Sequence, residues 1–125
     1  MRPMLAEPSS ATWFEAVRAM LLAHVPPLDM TLDTPTACEV YTPRPNADNE
    51  IVRFARLWIQ ESDVRIETLA VGIDPHGPHA LSEQMSQRRR GAHAFSLLNA
   101  DASVLREIQA LIDFRVRICE SRRLI

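Results

Sequence analysis

The chain contains no lysine. All 14 of its basic residues are arginine, which excludes Schiff-base chemistry, a lysine general base and the phosphate-gripping lysine of a P-loop. Glycine is almost as scarce, with only Gly72, Gly77 and Gly91. No glycine-rich phosphate loop and no GxGxxG fingerprint can be assembled from three such positions. Two cysteines, Cys38 and Cys119, are too few and too far apart for a disulfide framework or a thiolate zinc site. A Cys-x-x-Cys redox pair is absent as well. No serine stands in a GxSxG context, and neither cysteine has a histidine beside it in sequence, so hydrolase chemistry finds no anchor.

Long apolar runs are also missing. No stretch reaches the roughly 18 uninterrupted apolar residues of a membrane span. Near the N-terminus, Glu7, Glu15 and Arg18 break what would be the apolar core of a signal peptide, so a cytosolic location is expected. A net charge of -2 does not suit a dedicated binder of duplex DNA or anionic membrane.

What is present suffices for one domain. A length of 125 residues with 46% hydrophobic content can bury a single core spanning residues 1–125. Residues 1–9, with Pro3 and Pro8, read as an extended lead-in. Thr12-Trp13-Phe14-Glu15 fits a capping box, in which the Thr hydroxyl and the Glu carboxylate each satisfy a backbone amide. Phe14, Val17, Met20/Leu21 and Val25 then recur at helical spacing until Pro26-Pro27 stops them. His24, on or beside that apolar face, reads as a core or boundary histidine.

Leu28 to Leu32 alternates apolar and polar, as does Ala37 to Thr42, and Asp33-Thr34-Pro35-Thr36 between them predicts a hairpin. Pro43-Arg44-Pro45 forms a stiff connector, and Asp48 is a suitable helix cap. In residues 51–59 the apolar side chains spread around most of a helical circumference, leaving Arg53, Arg56 and Gln60 as a polar stripe. The pattern predicts a helix that needs cover on two sides. Val64 to Ile73 reads as a long strand with a change of face near Glu67–Leu69. Residues 80–90 carry little apolar content and suggest an exposed helix or mobile flap. Ala92 to Leu98 reads as a further strand. Asn99-Ala100-Asp101 caps a last helix whose stripe is Val104, Leu105, Ile108, Leu111 and Ile112. Residues 112–118 alternate like a strand, yet no Gly, Asn or Pro separates them from that helix, which favours one helix from Asp101 to about Arg122.

The expected fold is therefore α+β: a four- to five-stranded sheet packed by three main helices, in the possible order α-β-β-α-β-(α)-β-α. Two clusters could carry chemistry. Asp74, His76 and His79, with His93 as a fourth, have the donor types of a divalent-metal site and follow the carboxyl end of a strand. Arg88, Arg89 and Arg90 could hold a phosphate, a carboxylate or a nucleic-acid backbone, although cations at a helix end need no ligand to explain them. Without a convincing catalytic set, the expectation is a non-catalytic interaction or accessory protein. It has a protein partner or forms a homodimer, with Ile51, Phe54, Trp58, Ile112 and Val116 at the interface. A small metal- or anion-dependent enzyme using the 74–79 loop is the first alternative, and a nucleic-acid-binding regulator using Arg88–Arg90 is the second. No cofactor other than a divalent metal is suggested.

Overall fold

The computed structural model describes residues 10–68, 82–91 and 93–125. Among these, five antiparallel strands form one sheet in sequential order. They are β1 (Asp29–Thr34), β2 (Ala37–Tyr41), β3 (Arg53–Gln60), β4 (Asp63–Thr68) and β5 (Ala94–Ser96). Three helices accompany them: α1 (Ser10–Leu22), the short α2 (Glu83–Gln87) and α3 (Ala102–Ser121). The α+β class with three helices stands as expected from the sequence.

Each element follows from local chemistry. In α1, Phe14, Val17 and Leu21 are fully buried, a stripe at i, i+3 and i+7. The helix gives way to turns at His24 and Val25, just before Pro26 removes the next backbone donor. At the β1–β2 turn, the Thr34 hydroxyl accepts from the Ala37 amide at 3.0 Å and donates to its carbonyl at 3.1 Å. The connection from β2 to β3 is pinned by Thr42 and Asn46. Buried Thr42 donates its amide to the Val52 carbonyl at 2.9 Å. The Asn46 side-chain oxygen accepts from the amides of Asp48 and Glu50 at 2.9 and 3.0 Å, an Asx-type turn in place of the expected helix cap.

Residues 51–59 correct the expected order. From Arg53 onward they belong to the third strand, not to a helix, and the order is α-β-β-β-β-α-β-α. The cause of the deceptive pattern is a bulge. Val40 pairs with Ala55 while Tyr41 pairs with Arg53, so Phe54 is an extra residue and both Phe54 and Ala55 turn inward and are buried. The outward positions Arg53 and Arg56 are thereby three apart, which imitates the polar stripe of a helix. Beyond the bulge the strand alternates normally, with Leu57 inside and Trp58 outside.

One apolar cluster joins the inward residues of the sheet, such as Cys38, Val40, Leu57 and Ile66, to Phe14, Val17 and Leu21 of α1 and to Val104, Ile108 and Ile112 of α3. Helix α1 lies against β3, β4 and α3. Of the residues expected at an interface, Phe54, Ile112 and Val116 are instead buried in this core, whereas Ile51 is 52% exposed. The apolar surplus that suggested a second subunit is thus absorbed within the chain. Helix α3 is unbroken through residues 112–118, as favoured, with Asp101 capping it by accepting from the Val104 amide at 3.0 Å. It closes on a Schellman arrangement. The amide of Leu124 donates to the Cys119 carbonyl and that of Arg123 to the Glu120 carbonyl, with Arg123 at φ 59° where glycine is usual.

The strand expected over 64–73 is seen as β4 to Thr68, and its remainder lies outside the described residues. The possible flap at 80–90 is tied down from Ser82 onward. Met85 is fully buried, Ser82 donates to Glu107 at 2.5 Å and Gln84 to Ser103 at 3.1 Å. Residues 88–90 then run along the outer edge of β5, with the Arg90 amide on the Ala94 carbonyl and the Ser96 amide on the Arg88 carbonyl, both at 2.8 Å.

Two substitutions test this account. Phe54→Ala removes the bulged core side chain and is expected to cost about 3–5 kcal/mol in urea unfolding. Arg123→Gly relieves a left-handed backbone position and is expected to raise stability by about 1 kcal/mol.

Candidate functional site

The helices and the apolar cluster occupy one face of the sheet. Strand alternation sends a second set of side chains to the other face: Glu39 and Tyr41 from β2, Arg53, Arg56 and Trp58 from β3, and Asp63, Arg65 and Glu67 from β4. Exposure falls across this face from β3 toward β5: Arg53, Arg56 and Glu67 retain 38%, 41% and 38% side-chain exposure and Asp63 15%, while Ser96 and Ala94, on the same side of β5, are buried.

This face is a connected lattice of charges and rings. Arg53 Nη2 donates to Glu67 Oε1 at 2.6 Å, and Arg65 Nε donates to Asp63 Oδ2 at 3.1 Å. The Ser96 hydroxyl also donates to Asp63, at 2.8 Å to Oδ1. The Arg56 guanidinium lies 4.4 Å from the Trp58 ring centroid, a cation–π stack, while its Nε is 3.8 Å from Glu39 Oε2. The Tyr41 hydroxyl donates to Glu39 Oε1 at 3.0 Å, and that bond, with some burial, pushes the phenol pKa up. Trp58 Nε1 donates to Gln60 at 3.3 Å. With Asp29, which β1 places opposite Tyr41 on the same face, three arginines meet four carboxylates, so the face carries mixed charge with a slight acidic excess.

The residues singled out from sequence are distributed differently. Asp74, His76 and His79 lie outside the described residues. His93, half-buried, precedes β5, and its carbonyl accepts from the Thr68 amide at 3.0 Å. Burial, then the charges of Arg115 and Arg89, push the His93 pKa down; the same two positive charges oppose a cation at that ring. Among the described residues, no three His, Cys, Asp or Glu side chains converge as a metal site. Arg88 serves the β5–α3 turn: it donates to the carbonyls of Leu98 at 2.7 Å, Asn99 at 3.2 Å and Ser96 at 3.3 Å. Arg90 Nη1 donates to the carbonyls of Gln87 and Arg89. Arg89 is exposed and its backbone bridges to Phe95. His24 bonds Asp113 at 2.9 Å and so ties α1 to α3.

Arg115, which falls within the apolar stripe of α3, is buried, and burial pushes its pKa down to about 10. Trp58 is the one member of the open face that the sequence assigned to an interface, though as part of a helix whose polar stripe would include Arg53 and Arg56. The signal that could have found the others is the alternation Arg56, Trp58 in one strand and Asp63, Arg65, Glu67 in the next. No known protein family, curated protein or solved structure matches this chain.

Both thiols are unpaired and fully buried, and burial pushes each up to about 11 from an ordinary value near 9. Because the folded value lies above the unfolded one, the thiols' contribution to stability is complete below about pH 9 and is lost as pH rises toward about 11. Urea unfolding at pH 8 and pH 10.5 is expected to show this loss, at most about 3 kcal/mol per thiol. A Cys38→Ala/Cys119→Ala protein is expected to lack that part of it.

Proposed function

We propose that the protein is a non-catalytic protein-interaction module that works through the open face of its sheet. The observation that carries this reading is a five-stranded sheet whose described helices all lie on one side, with Trp58, Arg56 and Tyr41 half-exposed at the centre of the other. Tryptophan, tyrosine and arginine are the side chains in which interfaces concentrate binding energy. Three arginines against four carboxylates, Asp29 included, favour a protein surface of mixed charge over a polyanion, for which an excess of positive charge is needed. Two buried, unpaired cysteines suit a reducing compartment such as the cytosol.

Trp58→Ala tests the reading, because it truncates a partly exposed side chain and leaves the core untouched. The expected outcome is a folded protein, by far-UV circular dichroism, that loses the protein partners captured from its host by the unaltered chain. A set of captured proteins unchanged by the substitution overturns it.

A further inference from the structure

We infer that the partner of the open face is a second copy of this chain, packed face to face about a two-fold axis that runs along the strands between β3 and β4. The inference rests on the reading of that face as the working surface, and it names the occupant from the register of the two strands.

The outward cross-strand pairs of β3 and β4 are Arg56 with Glu67, Trp58 with Arg65, and Gln60 with Asp63. Every pair is complementary: opposite charges, a ring with a guanidinium, an amide with a carboxylate. A two-fold between the strands exchanges the members of each pair. Arg56 of one copy therefore faces Glu67 of the other, Trp58 faces Arg65, and Gln60 faces Asp63, each contact occurring twice. Sheets stacked face to face stand about 10 Å apart, a gap that extended Arg and Glu side chains bridge from the two sides.

The charge pattern also selects this axis over its neighbour. A two-fold running along β3 itself would set Arg56 on Arg56 and Glu39 on Glu67, which like charges disfavour. With the axis between β3 and β4, Glu39 comes instead over the β5 row, where Ala94 is neutral and already buried within its own chain. A two-fold between β2 and β3 would also match Glu39 with Arg56 and Tyr41 with Arg53, but it sets the apolar Leu32 of β1 over the Glu67 carboxylate and Thr34 over Arg65. The axis between β3 and β4 leaves fewer charges without an opposite partner. With Asp29 of β1 opposite Tyr41, the face carries four carboxylates against three arginines, so no strong excess of one sign draws a polyanion or a polycation to it.

The test uses two charge reversals, singly and mixed. By sedimentation equilibrium the unaltered protein is expected to approach twice its 14.1 kDa chain mass at about 100 μM, and to dissociate as salt is raised, since the contacts are charged and near the surface. Arg56→Glu alone sets glutamate against Glu67 at both symmetric contacts, and Glu67→Arg alone sets arginine against Arg56. Each is expected to weaken self-association at least about ten-fold. An equimolar mixture of the two variants regains an opposite pair at both contacts and is expected to associate within about three-fold of the unaltered protein. Loss of folding cannot produce such a gain on mixing.

A monomeric unaltered protein at that concentration, or a mixture no heavier than the separate variants, overturns the inference. Should either reversal fail to fold, Arg65→Ala decides. It is expected to weaken association about five-fold through the lost Trp58 contact, and unchanged association overturns the two-fold. Failure here is separable from failure of the open-face reading, which falls only if Trp58→Ala leaves the captured proteins unchanged.

Discussion

One inserted residue governs the architecture. Because β3 spends both Phe54 and Ala55 opposite the single residue Val40, its alternation is reset in mid-strand. Two consecutive side chains enter the core, and the arginines on either side of them both emerge on the opposite face. Without that reset, a strictly alternating strand would direct either Arg53 or Arg56 inward, and burying a guanidinium against apolar neighbours is costly. The bulge thus reconciles a strand rich in both arginine and large apolar residues with a two-layer fold that has only one dry side.

The same feature explains what could and could not be read from the chain. Helix α1 was legible because Phe14, Val17 and Leu21 recur at helical spacing and prolines end the run. Helix α3 was legible because Asp101 caps it and no breaker interrupts residues 112–118. The β1–β2 hairpin announced itself through alternation around Thr34-Pro35. β3 did not, because the bulge converts a period of two into a spacing of three between Arg53 and Arg56. That false helix led in turn to a false surplus of apolar surface. Phe54, Ile112 and Val116 needed no second subunit, since the other elements of the chain already cover them. The open face followed the strand assignment out of sight: outward side chains can be listed only once the strands and their parity are known.

The arginines divide by environment in a way composition alone cannot show. Arg88 is consumed by three carbonyls at a turn, and Arg18 by a two-bond pairing with Asp33 that fastens α1 to β1. Arg115 is buried in α3. Those of the open face keep part of their surface in water while paired or stacked, so they are held in place before any partner arrives. Side chains already fixed lose less conformational freedom on binding than free ones.

The two edges of the sheet are unequal. Residues 88–90 lie along β5 and occupy its outer hydrogen-bonding groups at Ala94 and Ser96, whereas β1 has no second neighbour among the described residues and carries its own irregularity between Met30 and Leu32. A sheet with two open edges can add strands at both ends and grow into a fibre. With the outer groups of β5 at Ala94 and Ser96 already occupied, β1 is the edge that offers unpaired backbone among the described residues, so strand addition is favoured there over β5.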